Sequence, residues 1–176
     1  FLQLRPGTNV ALLNMMLYYI VTDGMADNKF IEERKEGYED FVTHIKALDV
    51  NAMESITGVE REKVRAAAKA YASAPNAMSF HGLGVTEHSQ GTFTVQQIAD
   101  LAMITGNIGR RGVGVNPLRG QNNVQGAADM GAQPHQGAGY MDVTKPEMHK
   151  LYNDFYGVDI IPDEIGLKIP EMFDAA

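Results

Sequence analysis

Hydrophobic positions crowd the first part of the chain and thin out toward its middle. From Val10 to Val21 the run carries a single amide, Asn14, among apolar and tyrosine side chains. It is shorter than the roughly twenty residues that cross a bilayer, so it predicts a helix buried on most sides. Pro6-Gly7 makes a turn ahead of this helix, Thr8 or Asn9 caps it, and Gly24 ends it. Asp27 opens a short charged helix that stops around Gly37. Tyr38, Phe41, Val42 and Ile45 then recur at helical spacing, which gives a third helix one inward stripe. Thr57-Gly58-Val59-Glu60 has the spacing of a capping box. The helix after it turns Val64, Ala67, Ala68 and Tyr71 to one face and stops before Pro75.

The pattern changes after Pro75. Ala77 to His81 reads as a short strand, Gly82-Leu83-Gly84-Val85-Thr86-Glu87-His88 as a turn, and the residues after Gly91 as a helix. Thr92 is the expected cap of that helix, and Val95, Ile98, Ala99 and Ala102 its inward stripe. Strand, glycine turn and helix together bring backbone N–H groups to a phosphate, because glycine lets the ligand approach and a helix start favours negative charge. The third glycine of the dinucleotide fingerprint is replaced by Glu87, which counts against an ordinary nicotinamide site. Farther on, Thr144-Lys145-Pro146-Glu147 caps a helix that runs to about Tyr156 and ends at Gly157. Residues 161–172 read as a linker toward a further domain. Phe1, with neither methionine nor a basic leader, reads as a cut in a longer chain.

Composition narrows the chemistry. The 176 residues include no cysteine and no tryptophan, so thiolate metal sites, iron-sulfur ligation and cysteine nucleophiles lie outside them. A net charge of −7 argues against a nucleic-acid or anionic-membrane surface. The sign reverses locally: between Leu101 and Met141 the only carboxylate is Asp129, against Arg110, Arg111 and Arg119. Twelve of the 18 glycines lie between Gly82 and Gly139, and Asn107, Asn116, Gln121, Asn122, Asn123, Gln125, Gln133 and Gln136 crowd the same stretch. Amides suit a polar heterocycle, and glycine-rich backbone with arginine suits phosphate or carboxylate. A solvated irregular loop has the same composition. His44, His81, His135 and His149 have no metal-ligand spacing and read as structural or surface residues.

The run PLRGQNNVQGAADMGAQP, with LAMITGNIGRRGVGVNP and GLGVTEHSQGT before it and LRPGTNVAL near the start, resembles the catalytic subunit of formate dehydrogenases in the molybdopterin oxidoreductase family. The resemblance covers essentially the whole chain. It implies an α/β, Rossmann-like cofactor-binding domain with a helical N-terminal part, residues 1–143 forming the cofactor-binding segment and residues 144–176 a helix and linker. The implied cofactor is bis-molybdopterin guanine dinucleotide with Mo or W, and the family's 4Fe-4S cluster belongs to a part of the subunit outside these residues. Arg119 matches the active-site arginine, the implied catalytic residue for oxidation of formate to carbon dioxide. Leu4, Gly7, Thr8, Asn9, Gly82, Leu83, Gly84, Glu87, His88, Gly120, Gln121 and Asn123 match cofactor-contacting loops; no metal ligand is among them. The implied partners are formate, the remaining domains of the same subunit and an electron-transfer iron-sulfur subunit, with no nucleic acid and no membrane contact. The segment alone is expected to be inactive. A nitrate reductase-like enzyme, a nucleotide-binding module and a helical interaction domain with a flexible glycine-rich arm are the competing readings.

Overall fold

The structure, a computed structural model, describes residues 1–176 apart from Lys35, Ile160 and Asp163. It comprises two compact units, Phe1–Leu118 and Arg119–Ala176.

The first unit is built around its most apolar helix. Helix α1 (Asn9–Thr22) is followed by α2 (Asn28–Arg34), α3 (Tyr38–Lys46), α4 (Val50–Thr57) and α5 (Arg61–Ser73). Then come β1 (Met78–His81), a short α6 (Leu83–Thr86), α7 (Gly91–Ile104) and β2 (Gly114–Pro117). Because α1 is apolar nearly all round, it serves two clusters at once. Leu17, Tyr19 and Ile20 meet Ile31, Ile45, Ala68, Leu101 and Ile104. Met15 meets Val59 and Val64, with Leu4 packed against them. At the end of α1, Arg65 of α5 clamps Asp23 through two hydrogen bonds, Nε to Oδ2 at 2.7 Å and a terminal nitrogen to Oδ1 at 2.9 Å.

Local capping differs from the expected pattern. Asp27 does start α2, its Oδ1 accepting from the Phe30 N–H at 3.0 Å; the expected continuation of that helix includes Lys35, which lies outside the described residues. The Thr57–Glu60 capping box does not form. Thr57 instead ends α4, a helix the periodicity did not reveal, which Asp49 caps by accepting from the N–H groups of Asn51 and Ala52. The N–H of Arg61, the first residue of α5, goes to Glu54 Oε1 at 2.9 Å. The Glu54 carboxylate on α4 thus takes a free helix N–H, the role that spacing assigned to the Thr57 oxygen, while Glu60 pairs with Lys63.

β1 and β2 are parallel, with Met78 opposite Gly114 and His81 opposite Pro117, and α7 makes the crossover between them. Both ends of this unit converge on Asn107, which is 1 % exposed. Its Oδ1 accepts from the Ala77 N–H at 3.0 Å, just ahead of β1, and its Nδ2 donates to Thr105 Oγ1 at 2.9 Å, just past α7. Helix α7 buries Thr94, Gln97, Ile98, Leu101, Ala102 and Ile104. Val95 and Ala99, expected inward, are half-buried. Thr92 lies inside the helix and Gln90 occupies the cap position. Gly91 backs onto the Thr86 carbonyl so closely that a Cβ there would collide with it.

The second unit contains short regular elements within and after the glycine-rich stretch. It holds α8 (Val124–Asp129), an antiparallel hairpin of β3 (Gln136–Gly137) and β4 (Met141–Asp142) around a 3-10 turn at Ala138–Tyr140, then α9 (Pro146–Tyr156) and α10 (Ile169–Ala175). Its small core is Val143, Met148 and Tyr152, and the Tyr152 hydroxyl donates to the Ala138 carbonyl at 2.6 Å. Thr144 does not cap α9: Lys145 holds that position, and the Thr144 N–H and hydroxyl both go to Asp142 Oδ1, at 2.9 and 2.7 Å. Gly157 ends α9 with φ at 73°. Of the expected linker, Asp163 lies outside the described residues, Gly166 donates its N–H to the Pro134 carbonyl at 2.8 Å, and α10 is helix where linker was expected.

The chain is thus mixed α/β with helix dominant, its described strands forming two two-stranded sheets. Replacing Asn107 by leucine keeps the branched shape of the side chain and strands the Ala77 N–H without its acceptor. The expected cost is about 1–3 kcal/mol, read as a lower urea midpoint with an unchanged slope. An unchanged midpoint would remove Asn107 from this role.

Candidate functional site

The sequence-derived site residues fall in both units. In the first loop, Leu4 is taken up by the core. Arg5 is tied to the end of α4, its guanidinium donating to the Ser55 carbonyl at 2.5 Å and its N–H to the Thr57 carbonyl at 3.0 Å. The Thr8 hydroxyl donates back to the Arg5 carbonyl at 2.7 Å. Gly7, at φ 79° with open space where a Cβ would stand, makes the turn. Flanking anchors therefore hold Gly7 and Thr8 ahead of α1 and Asn9 at its first position, with Gly7 exposed and the other two half-buried. On α7, the Gln97 amide nitrogen donates to the Val10 carbonyl at 3.2 Å and to Asn14 Oδ1 at 2.5 Å, fixing the start of α1 from below.

The glycine turn is shaped by α6. The long helix begins at Gly91, as expected; the unexpected α6 occupies the turn and uses the N–H groups of Val85, Thr86 and Glu87 for its own hydrogen bonds. The N–H groups of Leu83 and Gly84, in the first turn of that helix, have no intrahelical acceptor. Leu83 is 46 % exposed, and nothing stands within 4 Å of a Cβ built on Gly84. Glu87 and His88 are exposed, and the His88 carbonyl accepts from the Gly91 N–H at 2.9 Å. Immediately before the turn, His81 is buried at the end of β1, and its Nδ1 has no hydrogen-bond partner among the described residues. The sequence reading placed His81 with structural or surface residues; the available signal was its position at the strand end directly ahead of Gly82. Buried polar atoms are seldom left unmatched. An open Gly84, two available N–H groups and an orphaned imidazole nitrogen fit a flat polar ligand with anionic substituents laid against this turn.

In the second unit Arg119, Gly120, Gln121 and Asn123 are all exposed. Asn123 sits at the cap position of α8, and its side chain fills the space a Cβ on Gly126 would need. A terminal nitrogen of Arg119 donates to Gln125 Oε1. Gln125 Nε2 in turn donates to Asp129 Oδ1 at 2.9 Å and to the Tyr140 hydroxyl oxygen at 2.6 Å. The Tyr140 hydroxyl donates to the same Asp129 oxygen at 2.5 Å. Tyr140 is the one non-glycine residue with positive φ, 63°, among those described. Sequence reasoning did not single out Tyr140, and noted Gln125 and Asp129 only as an amide and as the lone carboxylate of the stretch; their i,i+4 spacing was the available signal.

Not every amide faces outward. Asn107 is consumed by the crossover, and Asn116 Nδ2 donates to the Ser79 carbonyl at 3.3 Å. An apolar cleft of about 350 Å³ between α2, α3 and α7 contains none of the candidate residues; burial there raises the carboxyl of Asp100 above the usual carboxylate range. Among the described residues no cluster of His, Asp and Glu could hold a metal ion, and no helix is long and apolar enough to cross a membrane.

The Tyr140–Asp129 bond sets opposite titration shifts. The hydrogen bonds from Tyr140 and Gln125 hold Asp129 below the usual carboxylate range, and the bond to Asp129 raises the Tyr140 phenol above its ordinary value. A lowered carboxylate contributes above its ordinary range and loses that contribution as pH falls through its folded value; a raised phenol contributes below its ordinary value and loses it as pH rises through its folded value. The pair is therefore intact between the two. The difference in ultraviolet titration between the chain and its Tyr140→Phe variant should isolate a phenol ionising above about 10, and Asp129→Asn should bring it down. A phenol unmoved by Asp129→Asn would refute the coupling.

Comparison with known proteins places these features. The family model for molybdopterin oxidoreductases matches residues 1–175. The F420-dependent formate dehydrogenase subunit alpha of Methanocaldococcus jannaschii is 45 % identical over 174 residues, covering 99 % of this chain and 25 % of that protein. Formate dehydrogenase H of Escherichia coli is 41 % identical over 169 residues, covering 96 % of this chain and 24 % of its own length. The chain thus spans about a quarter of the curated relatives it matches. Among solved structures, acetylene hydratase from Pelobacter acetylenicus shares the fold with a TM-score of 0.59 at 22 % identity, over 63 % of this chain and 15 % of that one. With residues 1–175 matched by the family model, the chain belongs to the molybdopterin oxidoreductase family.

Proposed function

We propose that this chain is the segment of a formate dehydrogenase catalytic subunit that helps hold bis-molybdopterin guanine dinucleotide and supplies the arginine that anchors formate. Its similarity to formate dehydrogenase alpha subunits along nearly its whole length supports the choice of substrate. The observation that carries the reading is the state of Arg119: exposed, in a stretch of reversed charge, and engaged by an amide with no carboxylate paired to it among the described residues.

A guanidinium in that state has N–H groups available to hold a carboxylate bidentately. Arg119 then orients formate and stabilises its charge while the C–H bond breaks to give carbon dioxide, a proton and two electrons. When bound, the cofactor, with Mo or W, would supply acceptance of those two electrons, and a 4Fe-4S cluster elsewhere in the subunit and an iron-sulfur partner would carry them away. Gly82, Leu83 and Gly84 offer the open backbone that would hold the pterin-pyrophosphate, with Glu87 and His88 as further contacts. Gly7, Thr8 and Asn9 approach from the first loop, positioned by Leu4 in the core. Gly120, Gln121 and Asn123 contribute from the segment after Arg119. In this reading β1–α7–β2 is one unit of a Rossmann-like sheet, residues 1–143 are the cofactor-binding segment, and residues 144–176 lead to a further domain.

Arg119→Lys in the full-length enzyme keeps the charge and loses the fork. It should lower kcat/KM for formate by about a hundredfold or more while molybdopterin content stays at the parent level. Unchanged turnover would sink the assignment.

A further inference from the structure

The Arg119 side chain is not held by a carboxylate but by a chain of groups that the proposed chemistry does not use. We propose that Gln125, Asp129 and Tyr140 are positioning residues that set the guanidinium of Arg119 for an incoming carboxylate while keeping protein carboxylate off it. The inference rests on the reading of Arg119 as the formate anchor.

The orientation of the Gln125 amide follows from its neighbours. The Asp129 carboxylate accepts only, so the amide nitrogen must face it, and the amide oxygen is thereby turned to Arg119. Tyr140 closes the ring from the hairpin, accepting from Gln125 Nε2 and donating to Asp129. Its backbone sits in the left-handed region beside Gly139, at φ 73°, which brings the phenol back to α8. A non-glycine residue held in that region is stabilised by its surroundings, here by the two hydrogen bonds that its hydroxyl makes with Gln125 and Asp129.

The arrangement separates Asp129 from Arg119 by one neutral amide. Asp129 is the only carboxylate between Leu101 and Met141, and it is held through Oδ1, which accepts from both Gln125 and Tyr140. Were it free to swing onto the guanidinium, it would compete with formate for the same fork. The network thus fixes Arg119 on one edge with a neutral acceptor and leaves its charge to the substrate. The depressed carboxyl of Asp129, for which Tyr140 is the leading cause, agrees with this occupancy.

The test uses the full-length holoenzyme and two readouts, steady-state kinetics with formate and the inhibition constant of acetate, a carboxylate with no formyl hydrogen to lose. Gln125→Glu places a carboxylate directly on Arg119. It should raise KM for formate and the acetate inhibition constant together by about tenfold, a factor worth about 1.4 kcal/mol, with kcat changed far less and molybdopterin content unchanged. Tyr140→Phe, which keeps the ring, should raise both constants in the same direction by a smaller factor, and combining it with Gln125→Ala should add little to Gln125→Ala alone. If Gln125→Glu and Tyr140→Phe leave both constants at parent values while Arg119→Lys raises them, the positioning role is overturned and Arg119 keeps its own. If Arg119→Lys also leaves them unchanged, the anchoring role has failed first. Equal losses of kcat and cofactor content with KM unmoved would likewise overturn positioning, because they report damaged structure.

Discussion

A single buried amide ties together the part of the fold that presents the glycine turn. Asn107 accepts from the residue before β1 and donates to the residue after α7, so the entry to the first strand and the exit of the crossover helix share one fastening. Leaving either partner unmatched in the interior costs far more than the net worth of the bond, which makes the crossover close in one register. With that register set, His81 pairs opposite Pro117, the His81 carbonyl accepts from the Leu118 N–H at 2.7 Å, and Gly82 begins the turn. The chain leaves β2 immediately before Arg119.

Surrounding helices serve this arrangement by burying α1 on most sides. A helix apolar all round has no surface of its own to show solvent, so it must sit at the centre of others. Its polar exception, Asn14, is met by Gln97 of α7, which makes the two helices specific for each other where apolar packing alone would let them slide.

How much of this was legible in the sequence depended on the range of the interaction. The period of Tyr38, Phe41, Val42 and Ile45, the length of the run around α1 and the Gly157 stop are local signals, and each produced its element. Capping failed where two local patterns competed: Thr57 and Glu60 have the right spacing, yet Glu54 reaches the Arg61 N–H from the previous helix. The amides of the glycine-rich stretch looked alike in sequence, but burial divides them, with Asn107 spent inside the fold and Gln125 turned to Arg119. For Asn107 that division depends on Ala77, thirty residues away. His81 illustrates the same limit, since nothing about a histidine at the end of a short strand announces that its Nδ1 is buried without a partner.

The proposed function has the Gly82–His88 turn and the segment from Arg119 to Tyr140 holding cofactor and substrate in the full-length subunit. Hydrogen exchange on that subunit, prepared with and without molybdopterin cofactor, is the sharpest test. Amide protection should rise on loading at Leu83, Gly84 and residues 119–125, with the Asn107 crossover already protected in both forms. Identical exchange at those positions in the loaded and unloaded protein would refute that function.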